Sequence, residues 1–167
     1  MSETQAAPDL GRLDFFGDQV QATLTREVEH STATLWAFLT DPAKLPLWLA
    51  PGDIELKVGG RARLDFVDSG IVIDSIVSQL KPGEVLEYSW SGPGETLRPV
   101  CWSLEPTGAG ARLTLTLDMP ASEDVARSCA GWEAHLEMLA AALEGVPIKF
   151  PFERFKATRE AYKARLP

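Results

Sequence analysis

Arg26 is the residue whose placement first asks for a chemical explanation. It sits in Gln19 to Val28, where Val20, Ala22, Leu24 and Val28 alternate with Gln21, Thr23, Thr25 and Glu27, and it falls on the apolar side. The alternation spells a half-buried strand. A guanidinium on the inward side of a strand needs a carboxylate or carbonyl partner, because burying it alone costs several kcal/mol. Two readings follow. Arg26 either pairs with an acid such as Asp65 or Asp74, or orients the carboxylate of a ligand.

The other chemistry-bearing types are scarce. The chain has two histidines, His30 and His135, and two cysteines, Cys101 and Cys129. Neither a His-x-x-x-His pair nor a cysteine cluster is present, so no metal site is expected. No Gly-x-Ser-x-Gly elbow marks a nucleophile, and no glycine pattern suits a phosphate loop, so neither a catalytic residue nor a cofactor is assigned. Gly59-Gly60 reads as a tight turn. His30 precedes the first helix, which suits a solvated or capping role. His135, one turn from Trp132, either bonds a ligand or serves the structure. Were the chain an enzyme, Arg26, Asp65, Tyr88 and His135 would be the candidates for a polar group with a perturbed pKa. Sparse cysteine suits a reducing cytoplasm, with both thiols acting as small buried hydrophobes.

The elements that must position these residues follow from hydrophobic period. After the first strand, Ser31 or Thr32 can cap a helix with Leu35, Trp36 and Leu39 on one side. Asp41-Pro42 reads as the start of a second short helix, reaching about Trp48 before Pro51-Gly52. Short strands follow at Ile54 to Lys57 and at Ala62, Leu64 and Phe66. Ile71 to Leu80 is apolar on both parities, which a bulge would explain. Leu86, Tyr88 and Trp90 make the next stripe, then Val100, Trp102 and Leu104, then Leu113, Leu115 and Leu117. Short turns between them imply an antiparallel sheet with one covered face. Ser122 to Leu143 is an amphipathic helix with Val125, Cys129, Trp132, Leu136, Leu139 and Leu143 on one stripe, and Glu133, Glu137 and Glu144 turned away. The aromatic tail from Phe150 to Leu166 suggests a last short helix folded back onto the domain.

The chain of 167 residues suits one domain, here residues 10–167 behind a flexible tail of residues 1–9. Sixteen Lys and Arg against 24 Asp and Glu leave a net charge of −8, a poor match for nucleic acid or an anionic membrane surface. The start has neither a basic n-region nor an apolar stretch, so no secretory signal is expected. The longest apolar runs, such as Met138 to Leu143, are far shorter than the ~18 residues of a membrane span. Exposed strand edges would suit a homodimer.

A curved sheet must be covered, and the long helix is the only element large enough to do so. Where the two do not meet, an apolar cavity can remain. Leu64, Phe66, Tyr88, Trp90, Trp102 and Leu115 on the strands are candidates for its walls. Leu117, Trp132, His135, Leu136 and Leu139 join them, with Arg26 as the polar group. Trp90, Trp102 and Trp132 fit core and pocket wall equally well.

Several motifs carry a family resemblance. Leu35-Trp36 with Thr40-Asp41-Pro42, Trp48-Leu49, Val58-Gly59-Gly60 and Gly131-Trp132-x-x-x-Leu136-x-x-Leu139 resemble homologues of the ATPase activator of heat-shock protein 90. That family belongs to the START-like superfamily, also called SRPBCC or Bet v 1-like. Gly70-x-Val72, Tyr88-Ser89-Trp90 and Arg112-Leu113-Thr114-Leu115 fit the same pattern, and the likeness runs from Leu10 to Leu166. It implies an α+β helix-grip fold. A curved antiparallel sheet of six to seven strands would wrap a long C-terminal helix, with two short helices after the first strand. It also implies a hydrophobic pocket for a small apolar or amphipathic ligand, or else a co-chaperone-like module with a chaperone partner, or a polyketide cyclase or dehydratase. Members often carry a His where this chain has Leu117, which implies a more apolar pocket.

Overall fold

A computed structural model describes residues 10–67 and 69–167, so the tail read above as flexible lies outside the described residues. The alternation that begins at Gln19 makes a ten-residue strand, and every later stripe makes another. The strands are β1 (Arg12–Phe16), β2 (Gln19–Val28), β3 (Gly52–Ile54), β4 (Arg61–Phe66), β5 (Ile71–Lys81), β6 (Val85–Ser89), β7 (Pro99–Pro106) and β8 (Ala111–Pro120). They form one antiparallel sheet in the order β1-β2-β8-β7-β6-β5-β4-β3. The eighth strand is β1, which corrects the expected six to seven. Its apolar residues fall on both parities and carry no periodic signal. It forms because Gly17, at φ +64°, closes a tight hairpin that lays Phe16 opposite Gln19.

Two further departures have local causes. Ser31 caps α1 (Thr32–Thr40) as expected, its hydroxyl accepting from the Thr34 N–H at 3.1 Å. The second short helix shrinks to a turn and a single 3-10 turn, Leu45–Leu47. Pro46 has no N–H to donate, and its ring would strike the carbonyl four residues back in an α-helix. The strand expected over Ile54 to Lys57 stops at Ile54, because Lys57 donates back to the Glu55 carbonyl and curls the chain. The bulge in β5 is real: the register slips between Val77 and Gln79. Ile73 and Val77 face inward while Ile71 and Ile76 are exposed.

The long helix α2 (Val125–Leu143) starts one turn later than its first acids suggest, with Asp124 accepting from the Arg127 N–H at 3.1 Å. It covers one side of the sheet, and α3 (Phe152–Lys163) folds back against it. The core between sheet and helices is built from Leu24, Leu64, Leu86, Leu113 and Leu115 on the strands, with Leu35, Trp48, Trp132 and Leu136 above. Each such side chain contributes about 1.5–3 kcal/mol by leaving water. Among the described residues, no helix is long and apolar enough to cross a membrane.

Candidate functional site

The apolar chamber expected between sheet and α2 is filled by its own walls. Leu64, Tyr88, Trp102, Leu115, Leu117, Leu136 and Leu139 are all buried in one continuous core. The indoles interlock edge to face: Trp90 with Trp132 at 4.6 Å between ring centres, Trp102 with Trp132 at 5.5 Å, and Trp48 with Trp102 at 5.7 Å. Phe66 closes the outer end, 5.7 Å from Trp90 and 6.0 Å from His135. The room left beside Trp90, Leu117 and Trp132 is about 30 Å³, far below the roughly 300–1,000 Å³ of small-molecule sites.

His135 and Tyr88 are held inside this packing. His135 reaches the Trp48 carbonyl with Nδ1 at 2.9 Å, and burial pulls its pKa below the ordinary histidine value despite that bond. The ring is therefore neutral near pH 7 and donates that hydrogen bond. Burial raises the Tyr88 phenol above its ordinary range, a shift the bond to Trp102 only partly offsets. His30 meets the Glu144 carboxylate at 2.6 Å, tying the start of α1 to the end of α2. Asp65 stands 3.9 Å from Arg63, and Asp74 takes two hydrogen bonds from Arg61, at 2.9 and 2.7 Å. Neither acid is the partner of Arg26.

That partner is Glu133, which corrects the expectation that Glu133 points to water. Arg26 donates to one Glu133 oxygen and, at 3.0 Å, to the Thr25 carbonyl. The other Glu133 oxygen accepts from the Tyr162 hydroxyl at 2.5 Å, and that hydroxyl accepts from the Gly11 N–H at 2.8 Å. Burial, then the adjacent carboxylate, pushes the Tyr162 phenol far above its ordinary pKa. Glu133 lies about 80° from the centre of the α2 stripe, at 100° per residue, and one stripe alone would leave it wet. Ala126, Ala130 and Ala134 are buried too, because α3 packs on a second face of α2. Those small residues were the available signal for a second contact.

Beside this network lies an open cleft of about 440 Å³ between β2, α2 and α3. Thr25, Arg26 and Glu27 line it from the sheet, Glu133, Leu136, Glu137 and Ala140 from α2, and Arg154 and Thr158 from α3. Of the residues singled out from sequence, only Arg26 and Leu136 reach it. No three His, Cys, Asp or Glu side chains converge among the described residues to hold a metal ion. Both cysteines are free. Burial raises the Cys101 thiol to about 11 and the Cys129 thiol to about 12, so both are protonated and poorly nucleophilic at neutral pH.

Solved structures share the architecture. CalU16 from Micromonospora echinospora superposes with a TM-score of 0.76 at 20% identity, over 94% of each chain. The protein encoded by gene BPP1335 of Bordetella parapertussis gives 0.71 at 26% identity, over 99% of this chain and 95% of that one. DynU16, a protein in the dynemicin biosynthetic locus, gives 0.67 at 29% identity, over 78% of this chain and 49% of its own. No functionally curated protein matches this sequence. The model of the Activator of Hsp90 ATPase homolog 1-like protein family matches residues 29–144, from the end of β2 to the end of α2. With that match spanning more than half of the chain and the helix-grip architecture around it, the protein belongs to the family of activator of Hsp90 ATPase homolog 1-like proteins.

Proposed function

We propose that the protein binds a small amphipathic molecule in the cleft between β2, α2 and α3, at the flank of the sheet–helix core. The carrying observation is the cleft itself: about 440 Å³ of open space, with the part-buried Arg26–Glu133–Tyr162 network at its side and the edge of Leu136 as an apolar contact. That volume falls within the range of small-molecule sites, about 300–1,000 Å³. The filled interior favours the flank, because a ligand among the indoles would have to displace Trp90 or Trp132 first. DynU16, which this chain resembles, comes from a biosynthetic locus, and that supports a small-molecule role.

Native mass spectrometry of gently purified protein, followed by titration with a panel of amphipathic molecules, tests the reading. Ala140 is exposed on the cleft wall, so Ala140→Phe should occupy the space without disturbing the core. Binding that the variant abolishes is the expected result. Silence across the panel, or binding indifferent to Ala140→Phe, sinks the proposal.

Family membership favours a second reading, an interaction module acting with a chaperone. Capture of a heat-shock protein 90 by the full chain, with stimulation of its ATPase, tests it. No complex at micromolar concentration dismisses it. The open edges, β1 and β3, are the place for a homodimer, which light scattering would detect. The two free thiols suit a reducing, cytoplasmic setting.

A further inference from the structure

The kind of molecule the cleft accepts depends on the hydrogen-bonding capacity left after the protein's own pairs have formed. Every carboxylate on its border already faces a cation. Glu133 gives one oxygen to Arg26 and the other to Tyr162. Glu27 faces Arg112 at 3.4 Å. Glu137 stands 3.8 Å from Nε of Arg154, near enough to balance charge and too far for a hydrogen bond.

The guanidiniums are less fully engaged. Arg26 gives one N–H to the Thr25 carbonyl and one to Glu133. A guanidinium carries five, so most of its donors have no protein acceptor among the described residues. Arg154 makes no hydrogen bond within the protein among the described residues, and its side chain is 55% exposed. The cleft therefore has spare donors on two walls, β2 and α3, while Glu133 has both oxygens engaged, Glu27 bonds Arg112, and Glu137 faces Arg154 without a hydrogen bond. Exposed Ala140 and the outer edge of the otherwise buried Leu136 add apolar surface between the two walls.

From this we infer that the cleft is a site for a small amphipathic carboxylate. Its oxygens would be held by Arg26 and Arg154, and its apolar part would rest on Leu136 and Ala140. The inference rests on the ligand-binding reading above and names the class of ligand. Charge-assisted hydrogen bonds from guanidinium to carboxylate are the strongest such contacts the cleft can offer. A neutral head group would leave those donors unused, and an ammonium would have to draw Glu133 or Glu137 away from the guanidinium it faces.

Octanoate, octanol and octylamine share one chain and differ in head group. Titration calorimetry gives their affinities, and amide shifts at Leu136 and Ala140 report whether they bind in the cleft. Octanoate should bind at least about tenfold more tightly than the other two. Arg154→Gln should weaken octanoate about tenfold, leave octanol unchanged and leave the melting temperature in place, since Arg154 is mostly solvated. Octanol or octylamine binding in the cleft as tightly as octanoate overturns the anion assignment and leaves the ligand-binding reading standing. An octanoate affinity indifferent to Arg154→Gln overturns it as well. If none of the three shifts the cleft amides, the carboxylate assignment falls, and the broader panel with Ala140→Phe decides separately whether the cleft binds anything.

Discussion

Glu133 is the residue on which three separate parts of the chain converge. It accepts from Arg26 on β2 and from Tyr162 on α3, and Tyr162 in turn holds the Gly11 N–H. Removing one partner of a buried pair strands the other. Arg26 is 35% exposed and can turn toward water, which softens the loss. Glu133→Ala should therefore lower stability by about 2–4 kcal/mol, and Tyr162→Phe by about 1–3 kcal/mol, both read from urea denaturation. The chain has only two tyrosines, Tyr88 and Tyr162, and both phenols are raised above their ordinary pKa by burial. Below about pH 10 both are protonated in folded and unfolded chains alike, so their contribution is complete. Above it only the unfolded chain ionises, so stability falls as pH rises. Tyrosinate absorbance should stay absent until the protein unfolds and then appear from both residues together; a gradual rise in the folded state would refute this. His135 acts at the other end of the scale. Its pKa is depressed in the fold, so stability is complete above about pH 6.5 and declines as pH falls below it, when the unfolded chain takes the proton first. His135→Gln should flatten that acid slope.

Among the elements, β1 and α3 stand apart. Both lie outside the family-matched residues 29–144, as β2 does, and Gly11, just before β1, bonds Tyr162 of α3. Arg165 also reaches the Gly11 carbonyl at 3.4 Å, and Arg159 holds Asp124 at the start of α2 at 3.0 Å. The two segments thus meet beside Glu133, and α3 supplies one wall of the cleft. Ala157 is exposed in the middle of α3, where a proline would remove a helix hydrogen bond and cost the helix about 3 kcal/mol. With Ala157→Pro, α3 should loosen while the sheet and α2 stay folded. Tyr162 should then titrate near pH 10 while Tyr88 stays silent, giving half of the full tyrosinate signal before global unfolding. Full signal in one cooperative step would show instead that α3 and the core unfold as a single unit.

For the molecule as a whole, the filled interior is the governing fact. Trp132 touches both Trp90 and Trp102, so Trp132→Ala removes the centre of the packing and should cost about 3–5 kcal/mol, measured by thermal and urea melts. Added indole should recover part of the loss by occupying the space. A variant as stable as the parent would mean that the interior collapses without a void. The strand stripes, the Ser31 cap, the β5 bulge and the α2 stripe were all legible in the sequence, because each depends on neighbours within a few residues. So was the oddity of Arg26, whose charge conflicts with its own strand. Its partner was not legible, since Glu133 lies 107 residues further on and is buried only because α3 covers a second face of α2. Nor was the state of the interior, because periodicity says which side chains point inward and nothing about whether their volumes fill the space between sheet and helix. Local pattern thus determined most of the elements and their order, β1 excepted, while the helix-grip fold was what the family resemblance implied. Long-range packing alone decided that the indoles close the middle, that a carboxylate answers Arg26, and that the open space lies at the flank, since volume and charge pairing are settled only when distant segments meet.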